Sequence, residues 1–160
     1  MKKSIFIICA NILLTICSCD NSHYLFRENV SIKNETWTVE NQIPFQFTVT
    51  DTVGMYKVGF NIRYTNAYPQ QNIYVFLHTI FPNGLRTHDT ISIDLFDIEG
   101  VPLGSGKRVI ELQNYFSCVR FPMAGQYTMT LEQAMRRDTL PGIISMGLYI
   151  AENENVIIKE

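Results

Sequence analysis

Apolar residues recur at every second position along most of this chain, and a period of two is the signature of a half-buried strand. Tyr56, Val58, Phe60, Ile62 and Tyr64 alternate with Lys57, Gly59, Asn61 and Arg63, which predicts a long strand with one apolar face. Phe45, Phe47 and Val49 alternate with Gln46, Thr48 and Thr50. Tyr127, Met129 and Leu131 alternate in the same way with Gln126, Thr128, Thr130 and Glu132. Residues 87–96 place Ile91, Ile93 and Leu95 on one face. Two stretches, 73–81 and 143–150, are apolar at nearly every position and read as strands covered from both sides. Only residues 131–139 admit a helical turn, and there it competes with the end of a strand.

Turn chemistry falls between these runs. Thr52-Val53-Gly54, residues 66–71 with Pro69, Pro82-Asn83-Gly84, Glu99-Gly100, Gly104-Ser105-Gly106 and residues 122–125 all read as loops. Asn83-Gly84 is the strongest of these signals, because both residues tolerate positive φ. About eight or nine strands at short intervals predict an all-β fold, a single antiparallel β-sandwich over residues 28–160. A closed barrel shares the same pattern. Hydrophobic residues make up 46% of the chain and charged residues 18%, which excludes intrinsic disorder. A formal charge of −2 excludes the basic footprint of a nucleic-acid binder.

The N-terminus has a different organisation. Met1-Lys2-Lys3 precedes an apolar run from Ile5 to Ile16, the form of a secretory signal peptide and too short for a good spanning helix. It closes with Ile16-Cys17-Ser18-Cys19, which resembles a bacterial lipobox: an aliphatic residue at −3, a small one at −1, and the acylated cysteine at +1. Cys19 fits as the lipid-bearing residue; Cys17 does not, since Ile16 would then occupy −1. The expected organisation is a signal peptide at 1–18, a lipid-anchored tether at 19–27 and the β-sandwich beyond. Cleavage removes Lys2 and Lys3 and no acid, so the formal charge moves from −2 to −4. Cys9 and Cys17 leave with the signal and Cys19 carries lipid, so Cys118 remains alone and no intramolecular disulfide forms. Cys118 lies in the apolar run 115–121 and reads as a small core residue.

Candidate chemistry is sparse. Gly104-Ser105-Gly106-Lys107 lacks the spacing and the following Ser or Thr of a phosphate-binding loop, and reads as a hairpin turn. Asp94, Asp97 and Glu99 before Gly100 do not follow the alternate spacing of a calcium loop and read as a solvated turn. His23, His78 and His88 show no metal-ligand spacing. His88 and Asp89 are adjacent on a strand and so point to opposite faces. No nucleophile elbow is present. The expectation is therefore a non-enzyme with no catalytic residue, no cofactor and no metal. Trp37 reads as a core anchor and Tyr68, in a turn beside Pro69, as the better candidate for stacking on a glycan. Glu132, Arg136 and Arg137 bring opposite charges together near a strand end.

Several strings, taken in order, are similar to the gliding motility lipoprotein GldH family. They are Asn66-Ala67-Tyr68-Pro69-Gln70-Gln71-Asn72-Ile73, Phe81-Pro82-Asn83-Gly84, Asp89-Thr90, and Leu95-Phe96-Asp97-Ile98-Glu99-Gly100-Val101-Pro102-Leu103-Gly104-Ser105-Gly106. The likeness continues through Gly125-Gln126-Tyr127, Glu132-Gln133-Ala134-Met135-Arg136, Leu140-Pro141-Gly142-Ile143 and Gly147-Leu148. The resemblance implies a membrane-anchored envelope lipoprotein, a non-catalytic component or accessory of the gliding and protein secretion machinery with other envelope proteins of that apparatus as partners. It carries over no catalytic residue; only the lipid attachment at Cys19 transfers. Asp20 would retain the protein at the inner membrane under one sorting rule, but lipoproteins of gliding bacteria often reach the outer membrane, which is the favoured location. The alternative function is an envelope module that binds glycan or peptidoglycan.

Intact mass spectrometry of the protein purified from membranes is expected to find a chain beginning at Cys19 with added acyl mass, lost in Cys19→Ala. A soluble, unacylated wild-type chain would remove the anchor.

Overall fold

The computed structural model describes residues 23–153; the signal segment and Cys19 lie outside the described residues. One antiparallel sheet contains β1 (Tyr24–Ser31), β4 (Tyr56–Tyr64), β7 (Ser105–Gly106), β8 (Ile110–Val119) and β11 (Ile143–Glu152). Its spatial order is β1-β11-β4-β8-β7. The second contains β3 (Ile43–Val49), β5 (Asn72–Ile80), β6 (Arg86–Asp94) and β9 (Gly125–Gln133), in the order β3-β9-β5-β6. A ribbon of β2 (Thr36–Thr38) and β10 (Thr139–Pro141) follows a short 3-10 turn at Lys33–Glu35. No strand pairing joins the two main sheets, so the fold is a sandwich and not a closed barrel. The eleven strands exceed the expected number because β2, β7 and β10 are only two or three residues long, too short for a period to register.

The predicted apolar faces form the core. Phe45, Phe47 and Val49 of β3, Tyr56 through Tyr64 of β4 at alternate positions, and Tyr127, Met129 and Leu131 of β9 are all buried. Opposed faces of this kind stack at about 10 Å and interdigitate. Phe26 of β1 lies with its ring 5.5 Å from Phe47 and 6.1 Å from Phe45, and so closes one side of the sandwich. Trp37 is fully buried, opposite Leu140 in the ribbon, and its Nε1 donates to the Asn41 carbonyl at 2.8 Å.

Three expectations are corrected. Residues 73–81 are not covered from both sides: Ile73, Val75, Leu77 and Thr79 point inward, whereas Tyr74 is exposed and Phe76 and Ile80 are half-buried on the outer face. Residues 131–139 form no helical turn. β9 runs on to Gln133, whose buried amide donates to the Arg137 carbonyl and accepts from the Met135 N–H, and this fixes the turn that follows. Strand pairing begins at Tyr24, inside the stretch expected as tether, because residues 24 and 26–31 take up register with β11.

β11 is buried on both faces as expected. Its inner side chains Met146, Leu148 and Ile150 meet Ile62, Phe60 and Val58 across the sheet. On the outer face Tyr149 stands opposite Gly59, and its ring occupies the space a side chain there would need. The Asn114 carbonyl of β8 crowds the same point. The sheet thus needs glycine at position 59. Gly59→Ala is expected to lower stability by about 1–3 kcal/mol, the usual range for overpacking. The measurement is the urea midpoint at constant m value; an unchanged midpoint would show that the β4–β8 approach is not fixed there.

Buried tyrosines also join the layers. The Tyr64 hydroxyl donates to the Leu95 carbonyl, and the Tyr68 hydroxyl to the Asn72 carbonyl at 2.8 Å. Burial raises the pKa of Tyr64, Tyr68 and Tyr149 above the ordinary tyrosine value. The folded state therefore holds protons that the unfolded chain releases, and stability from these groups is complete below about pH 10 and falls as pH rises through the raised values. Urea midpoints are expected to drop above about pH 10, and less steeply in Tyr68→Phe, which has one fewer titrating phenol. Equal slopes in the two proteins would contradict the assignment of Tyr68.

Candidate functional site

Neither aromatic residue considered for stacking offers a free face. Trp37 is inaccessible and Tyr68 is 3% exposed, its phenol turned inward to the Asn72 carbonyl. Tyr68 follows a turn in which its N–H donates to the Thr65 carbonyl, and this brings the ring under the loop rather than over it. The glycan-binding alternative loses the residue it was built on.

Of the acids before Gly100, Asp97 is structural. Asp97 Oδ1 accepts from the backbone N–H of Glu99 and of Val101, closing the turn in which Gly100 has φ 81°. Among the described residues, no three side chains of His, Cys, Asp or Glu converge as a metal cage. Gly104-Ser105-Gly106 is not itself the turn: Ser105 and Gly106 pair with Glu111 and Ile110, so the reversal falls at 107–109. Glu132 makes no ion pair with Arg136 or Arg137; its partners are Gln42 and His78.

Cys118 is exposed, not in the core. β8 has a bulge opposite Val58 and Gly59, where Phe116 is inserted and its ring stacks on Phe60 at 4.5 Å. One extra residue reverses the inside–outside phase. Ser117 and Val119 then oppose Val58 and Tyr56 of the inner face, and Cys118 turns out beside Lys57. Nothing in the composition of 115–121 marks the insertion.

The sandwich is open along the side away from Phe26. β6 is the last strand of its sheet, and β7 covers only Ile110 and Glu111 of β8, so β8 from Leu112 to Val119 has no further strand beside it. These two unpaired edges flank a groove of about 530 Å³ whose apolar floor includes Leu77, Ile91, Phe116, Val119 and Tyr127. A second hollow of about 410 Å³ continues it past Ile93, Asn114 and Tyr115. Asp89 lines the groove on the β6 side and Arg120 lies at the far end of β8. Asp89 is opposite the inward-facing Leu77, so its carboxylate is an inward-pointing charge on an edge strand, a device that discourages indiscriminate strand pairing. His88 points to the other face, as adjacency to Asp89 requires.

On that outer face the β5–β6 hairpin sets His78 directly opposite His88, with their Nδ1 atoms 3.0 Å apart. Glu132 Oε2 lies 3.3 Å from His78 Nε2 and accepts from Gln42 Nε2 at 2.8 Å. The spacing of the two histidines gave no hint of this by itself. The signal was the hairpin centre: with Asn83 as the midpoint, positions 78 and 88 are equidistant and must face each other. The Gly84 N–H donates to the Phe81 carbonyl and the Phe81 N–H to the Leu85 carbonyl, which sets that centre.

Residues 24–150 match the family described as GldH lipoprotein. A gliding motility lipoprotein GldH homolog of Christiangramia forsetii is 29% identical, over 95% of this chain and 97% of the relative. Gliding motility lipoprotein GldH of Flavobacterium johnsoniae is 26% identical, over 96% and 99%. Among solved structures, the infectious bursal disease virus VP2 subviral particle is 9% identical with a TM-score of 0.41, over 82% of this chain and 33% of that one. At that score it is a distant likeness with no bearing on function.

Proposed function

This chain belongs to the GldH lipoprotein family, and from that premise we propose that it is a lipid-anchored, non-catalytic component of the gliding and protein secretion machinery. Cys19 holds it to the envelope membrane, with the outer membrane favoured, and the groove between β6 and β8 receives an extended segment of an envelope partner. The observation that carries this reading is the pair of unpaired strand edges on either side of an apolar floor. An added strand obtains affinity from main-chain hydrogen bonds and specificity from side-chain pockets on one face. Leu77, Ile91 and Phe116 suit alternate apolar side chains of such a segment, and Asp89 selects for a basic one among them.

Photo-crosslinking side chains at position 91 of β6 and position 117 of β8, one on each strand bordering the groove, test this in cells. The expected result is that both rims join the same short stretch of one envelope protein, at residues alternating along it. Gln46, on the outer face of β3, is the control position. Adducts at Gln46 equal to those at the groove, or adducts from the two rims scattered over unrelated proteins, would overturn the docking role.

A further inference from the structure

We propose that His78 and His88 form a chelate for a divalent transition metal, Cu²⁺ in preference to Zn²⁺, on the outer face of the second sheet. The inference rests on side chains remote from the β6–β8 groove floor and does not depend on the docking role.

The geometry begins with Glu132. Its carboxylate is anchored by the Gln42 amide and faces His78 Nε2, so His78 carries its proton on that nitrogen and donates it to the carboxylate. That leaves the Nδ1 of His78 as a lone pair beside the Nδ1 of His88, and a modest rotation of the two rings turns both nitrogens toward one metal. A carboxylate on the far nitrogen of an imidazole is the arrangement that orients a metal-bound histidine and raises its basicity. Without metal, the His88 Nδ1–H donates to His78 Nδ1. On metal binding that proton moves through solvent to Nε2 of His88, and both Nδ1 lone pairs become available with no net change in protonation.

The separation suits a two-nitrogen chelate. Metal–nitrogen bonds of about 2.0–2.1 Å from two atoms 3.0 Å apart meet at roughly 95°. That is near the right angle of tetragonal Cu²⁺ or Ni²⁺ sites. Copper also binds imidazole most tightly among these ions. The Phe76 ring, 4.8 Å from that of His88, supports the imidazole from one side. His88 is exposed and His78 only partly covered, so water reaches the remaining coordination positions. Only two protein ligands are supplied, consistent with the lack of a three-residue cage among the described residues.

The test uses the untagged, metal-free mature chain in detergent, titrated with Cu²⁺ and read by calorimetry and by electron paramagnetic resonance. One Cu²⁺ per chain with a two-nitrogen signature is expected. His88→Ala is expected to weaken binding at least about tenfold and to leave one nitrogen, and Glu132→Gln to weaken it by about 10–100-fold with both nitrogens retained. His23→Ala is expected to change neither quantity. Circular dichroism and the urea midpoint of the metal-free variants establish that each is folded. A two-nitrogen signal that survives His88→Ala, an affinity indifferent to Glu132→Gln, or loss of the site in His23→Ala would each overturn the assignment.

Discussion

Two apolar sheet faces pressed together, with no covalent tie between them, hold this domain. Cys118 is the one cysteine among the described residues, and it is free and exposed. Everything then depends on alternate side chains of β3, β4, β9 and β11 meeting in one phase, since a slip of a single residue would turn a whole apolar face to solvent. That dependence explains where tolerance is lowest. Gly59 has no room for a methyl group, and Tyr149 supplies from the neighbouring strand the cover that position 59 cannot. It also explains why the break in phase at Phe116 has such visible effects. It exposes a thiol that the local sequence would bury, and it puts Phe116 and Ser117 on the wall of the open groove.

The two sides of the sandwich differ. Phe26 fills the gap between β1 and β3, whereas no comparable ring spans β6 and β8. Edges left open in natural sheets are normally defended by charge, and Asp89 supplies that defence from within the groove. A surface that must admit one extended partner and refuse others has this character. It is apolar enough to reward the right segment and charged enough to penalise the wrong one.

The long half-buried strands were legible in sequence because water on one side and core on the other impose strict alternation. β4 is the clearest case. The stretch 73–81 misled for a physical reason: Phe76 and Ile80 are apolar yet lie on the outer face beside the histidines, so composition imitated a strand buried twice. Gln133 concealed the end of β9, because its side chain does the work that a helical turn would otherwise do for the following backbone. The histidine pair follows from a register count only with the loop centred on Asn83; a two-residue Asn83-Gly84 turn would have set His78 opposite Asp89, and no linear motif contains the pair. The bulge was not legible, since it is defined by a partner strand distant in sequence, and neither was β7, which at two residues is too short for a period to register.

The early start of β1 has a mechanical consequence. A chain spans at most about 3.3–3.6 Å per residue, so a lipid on Cys19, as proposed, would leave Tyr24 less than about 20 Å of leash. Tyr24 opposes Ala151, and Glu152 lies in register with Tyr56, which lies in register with Val119, so these residues share one end of the first sheet, and the proposed anchor would hold that end near the bilayer. The mouth of the groove at Val119 and Arg120 is at that same end. A domain on so short a leash would be unable to search the periplasmic depth or the extracellular space for a partner. It would patrol a thin layer above the lipid headgroups, and whatever it met would have to come down to that layer.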